Sequence, residues 1–221
     1  MSFYETLAVA TQADREQLLA APVIQDCLQG RVSRENYLAF LGQAYHHVRH
    51  TSPLLMLLGG RLPERLSWMR PAVAEYIEEE NGHEQWILND IAAAGGDAKA
   101  VRDGRPELPA ELMVAYAYDV INRGNPVGFF GMVYVLEGTS VALALMAADK
   151  IQNALQLPNT AFSYLRSHGA LDQEHTQHLA GLLEQMTPED QTEVVRCAKV
   201  FFKLYGDIFR NLPTWEGATC N

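Results

Sequence analysis

Apolar residues along this 221-residue chain recur every three or four positions and seldom alternate with polar ones, so helices are expected nearly throughout and strands almost nowhere. The breaks between runs set the helix ends. A first helix covers about Ser2 to Ala20, and Pro22 and Gly30 bound a short second piece. Ser33 is a favourable N-cap for a long helix through RENYLAFLGQAYHHVRHTSPLLMLLGG, bent where Pro53 removes a backbone donor. Pro63 opens the next helix, which Gly95 and Gly96 stop. Residues 95–108 read as a loop rich in Gly, Asp and Arg, and a helix from Pro109 to about Arg123 follows, broken by RGNP. Pro126 begins an apolar helix that LQLPNT ends, ahead of a helix containing SHGALDQEHTQH. Thr187, Pro188 and Asp190 supply a cap, a first-turn proline and an N3 acid for a last helix to about Leu212. The expected fold class is all-α: one bundle of seven to eight helices spanning 1–221 as a single domain, with 212–221 loosely held.

Charge and cysteine usage narrow the function classes. A formal net charge of −10 argues against a nucleic-acid surface, which needs clustered Lys and Arg. Cys27, Cys197 and Cys220 are far apart and form no CxxC, which fits a reducing compartment better than a disulfide framework or a zinc knuckle. The N-terminus lacks a basic segment of the secretory kind. The apolar stretch from Pro126 to Asp149 is long enough for a membrane, but Glu137 stands near its middle, and a carboxylate there is costly in lipid. It reads as a buried helix of a soluble, cytoplasmic protein with neither membrane nor nucleic-acid partner.

Three stretches carry candidate chemistry. At about 100° per residue, His168, Asp172 and His175 lie at roughly 0°, 40° and −20° on one helix, a narrow stripe of N and O donors. His178 falls about 60° further round and Glu174 on another face, so neither is a candidate ligand. A metal site and a polar surface stripe with Asp172 paired to a histidine both fit. In EYIEEENGHEQW, Glu80 and His83 form an E-x2-H pair, the spacing of inward-facing ligands in di-iron bundles, and Glu79 is also within a turn of His83. A solvated acidic face is the plain alternative. Gly82, read as mid-helix, suggests close approach or local distortion. Glu137 is the one charged residue of GFFGMVYVLEGTSVALALM, and buried it must be protonated, ion-paired or bound to a cation. Together Glu80, His83, Glu137, His168, Asp172 and His175 make a mixed N/O set suited to iron or manganese, with a carboxylate such as Glu137 bridging two ions.

The order of these residues, with GQAYHHVRHTSPLL, EEENGHEQWILNDIAAAGG, YVLEG and HGALDQEH, resembles the haem-oxygenase-like di-iron oxidases, the iron-containing redox group within the superfamily of TenA thiaminases and pyrroloquinoline quinone synthase. The likeness covers most of the chain, and H-x3-D-x2-H is its most specific part. Some members have E-x6-H in the first pair and others E-x2-H. Tyr76 here rules out the longer spacing, leaving Glu80 as in the alkene-forming fatty-acid decarboxylases. The resemblance implies two labile ferrous ions per chain that activate oxygen against a small acid or amine, without haem. It also implies an external electron donor and a homodimer as possible partners. Within the fold, a haem enzyme needs an axial histidine that residues 1–30 lack, and a thiaminase needs a mid-chain cysteine that the apolar helix lacks. Asp207 echoes the thiaminase acid only loosely. A cofactor-free quinone-synthase-like oxidase and a non-catalytic helical binding protein remain as alternatives.

Smaller expectations complete the reading. His46, His47 and His50 are expected to be hydrogen-bonded helix histidines, with a cavity-lining role open to them. Phe129, Phe130, Tyr134, Trp86 and Phe201 are expected in the core, and Asp90, two turns after His83, is a candidate partner for a ligand.

Overall fold

The computed structural model describes residues 1–215, without the side chains of residues 169–174. The loosely held tail expected over 212–221 falls partly on 216–221, outside the described residues. The chain is helical as expected, and the described residues contain no strand. The segments are α1 (Phe3–Ala10), α2 (Gln12–Leu19), α3 (Pro22–Leu28), α4 (Arg34–Val48), α5 (Thr51–Arg61), α6 (Arg70–Glu80), α7 (His83–Ala93), α8 (Ala98–Asp103), α9 (Leu108–Arg123), α10 (Phe130–Leu155), α11 (Ser163–Glu184) and α12 (Pro188–Asn211). Long helices read as continuous are divided: at Thr11, at Arg49–His50 and at Asn81–Gly82. Pro53 does not bend a helix, because it stands third in α5, where its missing N–H has no intrahelical partner to lose. The expected loop at 95–108 contains the short α8, capped by Asp97.

Capping explains most of the starts. Ser2 with Glu5 and Ser33 with Asn36 form reciprocal caps on α1 and α4, and Thr187 caps α12. The last helix buries Val194, Cys197, Ala198, Phe201, Phe202, Tyr205, Ile208 and Phe209, a three-and-four spacing that keeps one stripe inward. Its close approach to α10 depends on Gly131, where a Cβ would stand 2.6 Å from the Ala198 nitrogen.

The central element is α10, packed on α11, α12 and α3. With the turn before it, this helix has the length and composition of a membrane span, and half of its apolar window is buried in the bundle. Two apolar clusters flank it. One joins α5, α6, α9, α12 and the first turns of α10; the other joins α4, α7, the last turns of α10 and the start of α11. Glu137 lies where the two meet. Phe129, Phe130, Tyr134 and Phe201 are buried as expected.

Asp190 ties three distant segments together. Fully buried, it accepts Arg65 Nη2 at 2.8 Å on the same oxygen that accepts Asn125 Nδ2 at 2.7 Å, while its other oxygen takes Arg65 Nη1 and the Thr187 hydroxyl. The Arg65 hydrogen bonds hold its carboxyl below the usual carboxylate range, against burial. The contribution is therefore complete above the unfolded value near about 4 and is lost as pH falls through the lowered one. Asp190→Ala is expected to cost about 3 kcal/mol in urea denaturation at pH 7, with a smaller difference from wild type at pH 3.

Candidate metal centre

The E-x2-H pair does not sit on one continuous helix. Chain direction changes between Glu80, the last residue of α6, and His83, the first of α7. Asn81 is extended and Gly82 has φ of +94°, the left-handed region that glycine enters without strain. A Cβ at Gly82 would meet nothing within 4 Å, so backbone handedness and not close approach requires glycine here.

Across this break the two donors meet. His83 Nδ1 donates to Glu80 Oε2 at 3.0 Å, and His168 Nε2 of α11 lies 3.9 Å from the same oxygen. The His83 and His168 rings meet edge to face at 4.8 Å, and Trp86 stacks on His83 at 4.0 Å. His168 Nδ1 lies 3.1 Å from the Tyr164 carbonyl, so it carries the proton and turns Nε2 toward Glu80. Burial works to raise the Glu80 carboxyl, but the neighbouring His168 and His83 rings prevail and hold it at about 2.

A second group adjoins on α6, α10 and α11. His175 is buried, with Nε2 3.0 Å from Glu79 Oε2 and Nδ1 3.7 Å from Glu137 Oε1. Tyr76, one turn before Glu80, meets the His175 ring at 5.6 Å. Burial, with the negative charge of Glu137, Glu79 and Glu80, drives its phenol upward and keeps it protonated.

Five of the six predicted site residues thus gather in the interior, as Glu80–His83–His168 and as Glu137–His175. The sixth, Asp172, lies outside the described residues, as does Glu174. Glu79 reaches His175, a pairing that spacing from His83 gave no reason to expect. Tyr76 was legible only as a missing ligand. Asp90 turns away from the ligand role: fully buried, it accepts the Ser163 amide at 3.0 Å, the Tyr164 amide at 2.8 Å and the Ser163 hydroxyl, capping α11 from α7. Asp207 pairs with Lys203 and Arg210 on the outer face of α12.

These residues fit a metal ion. The donor atoms of Glu80, His83 and His168 lie within 4.8 Å of one another, near the roughly 3–4 Å that separates ligands around one ion with bonds of about 2.1 Å. A carboxylate with two imidazoles suits iron, manganese or zinc better than calcium. Glu80, Glu137 and His168 also line one chamber with His47, Tyr76, Phe129, Leu136 and Tyr205, and among the described residues no Lys or Arg lines it.

Comparisons with known proteins agree with this picture. Residues 38–206 match the family model described as iron-containing redox enzyme. Among solved structures, a domain of unknown function with a haem-oxygenase-like fold from Shewanella denitrificans OS217 superposes with a TM-score of 0.83 at 24% identity, over 95% of this chain and 90% of that one. A TenA homologue from Pseudomonas syringae pv. tomato DC3000 gives 0.77 at 11% identity, over 93% and 90%. Haem oxygenase-1 from Synechocystis sp. PCC 6803, in complex with haem, gives 0.76 at 11%, over 95% and 91%. The fold is therefore the all-helical haem-oxygenase-like one. No curated protein matches significantly.

Removing the α7–α11 clip should be costly. Asp90→Ala leaves the α11 amides without their acceptor and is expected to lose about 2–4 kcal/mol, measured by urea denaturation. Hydrogen exchange at Ser163 and Tyr164 should accelerate, and Asp90→Asn, which keeps one acceptor oxygen, should fall between.

Proposed function

Because the chain belongs to the iron-containing redox enzyme family, we propose that it is a non-haem di-iron oxidase acting on a small organic substrate with O2. The observation that carries this reading is the convergence of Glu80, His83 and His168 beside Glu137 and His175. These five residues and Asp172 would hold two ferrous ions. Iron, when bound, supplies the redox chemistry with oxygen.

The chain's own residues prepare the place. Proton placement on His168 Nδ1 leaves its other nitrogen as a donor. The lowered Glu80 carboxyl stays ionised at neutral pH. Leu55, Phe129, Met132, Val133 and Leu136 wall the chamber and restrict water, which strengthens every charge interaction inside. Trp86 fixes the plane of the His83 ring from outside.

Other readings of the fold find less support in these residues. Among the cysteines, Cys27 lines a neighbouring cavity, but burial pushes its thiol to about 11, far from a thiolate nucleophile. No histidine precedes His46, so α1 to α3 offer no axial ligand and the proposal includes no haem. A cytoplasmic homodimer with an external electron donor completes the reading.

Anaerobic loading with ferrous iron, followed by metal analysis and oxygen-electrode measurements over amino acids and fatty acids, tests it. The expected result is two irons per chain in the wild type and at least a tenfold weaker hold in His168→Ala and in Glu137→Gln. A wild type that takes up no iron sinks the reading.

A further inference from the structure

His46 and His47 of α4 and His50 at the start of α5 have separate fates. His50 Nδ1 pairs with the Tyr118 hydroxyl at 3.1 Å, as expected of a helix histidine. His46 is buried with its ring edge-on to Tyr45 at 5.5 Å. His47 departs from the expectation. It is 3% exposed, meets the Tyr205 ring edge-on at 5.8 Å, and its Nδ1 has no hydrogen-bond partner among the described residues. A buried polar group left without a hydrogen bond is costly, and native proteins rarely carry one without a use.

The surroundings indicate the use. His47 lines the polar chamber with Glu80, Glu137 and His168. Ser140, Tyr164, His168 and Tyr205 line both this chamber and a second cavity, so the two adjoin. The second is walled almost entirely by apolar side chains, as small-molecule sites are. Its walls come from α3, α4, α10, α11 and α12, among them Ile24, Phe40, Leu143, Ala147 and Phe209, and among the described residues no Lys, Arg, Asp or Glu lines it. Nothing there compensates the desolvation of a charge, so whatever body fills it is uncharged.

We propose that His47 is a ligand-binding residue: its imidazole hydrogen-bonds the polar group of a substrate whose uncharged, apolar body fills the cavity bounded by α3, α4, α10 and α12. Burial first, and then the neighbouring His168, hold the His47 ring down at about 3, which makes it a neutral donor and acceptor. It selects a polar group by hydrogen-bond geometry and not by charge, while the carboxylates of the adjoining chamber repel a second anionic group. The inference shares the chamber of the oxidase reading but does not depend on iron.

The test uses the full chain before any metal is added, with 1-octanol as the probe, followed by calorimetry and tryptophan fluorescence. The wild type is expected to bind. His47→Phe, which removes the polar atoms and keeps a ring, should weaken binding about tenfold while melting no lower than wild type, since the buried group it deletes is unsatisfied. His47→Gln, which retains a donor and an acceptor, should stay within about threefold of wild type. Ala147→Phe, which fills the cavity, should abolish binding. Wild-type failure to bind, unchanged affinity in His47→Phe or in Ala147→Phe, or a melting temperature several degrees lower in His47→Phe that His47→Gln restores would overturn the proposal. Failure of iron uptake would leave it standing.

Discussion

Charge held inside a helical bundle is the constraint on which this structure turns. Asp90, Glu137 and Asp190 are buried and Glu80 nearly so, and an interior carboxylate without partners costs several kcal/mol. Each is met by groups far away in sequence: Asp190 by Arg65 and Asn125, Asp90 by the start of α11, Glu80 by His168, Glu137 by His175. Apolar packing brings helices near one another with little preference for register. The polar pairs supply the register, because a shift of one residue would break them.

Two kinds of buried carboxylate result. Asp190 has a guanidinium and two neutral donors, and Asp90 has helix amides and a hydroxyl; both are complete. Glu80 and Glu137 have imidazoles for neighbours in a chamber lined, among the described residues, by neither Lys nor Arg. An imidazole is a weak source of positive charge at neutral pH. Positive charge is what this lining lacks, and a metal cation is one way of supplying it. The contrast separates carboxylates met by a guanidinium or by helix amides from those neighboured by imidazoles.

Much of this was legible in the sequence, for reasons that also mark the limit. The stripe of His168 and His175 follows from helical angle, and the interior position of Glu137 from an apolar run that leaves it no wet face. Caps at Ser33 and Thr187 are local chemistry and were found where side chain and backbone sit a few residues apart. Angles within one helix do not say which helices become neighbours, so the reach of Asp90 to α11 and of Glu79 to His175 stayed hidden. The break at Gly82 was misread as mid-helix because the acidic run before it and the apolar pattern after it both have helical period. His47 looked like its neighbours on α4, and only packing distinguishes a satisfied ring from an unsatisfied one.

The turn at Asn81–Gly82 also bears on how the centre tolerates change in the chain. On a continuous helix each residue added or lost between carboxylate and imidazole swings the second by about 100° and carries it out of reach. Here the two donors stand on separate helices, each anchored by its own packing, and the link between them is a short extended-then-left-handed step. In this chain the donor geometry is therefore set by where α6 and α7 are packed and not by helical spacing along one axis.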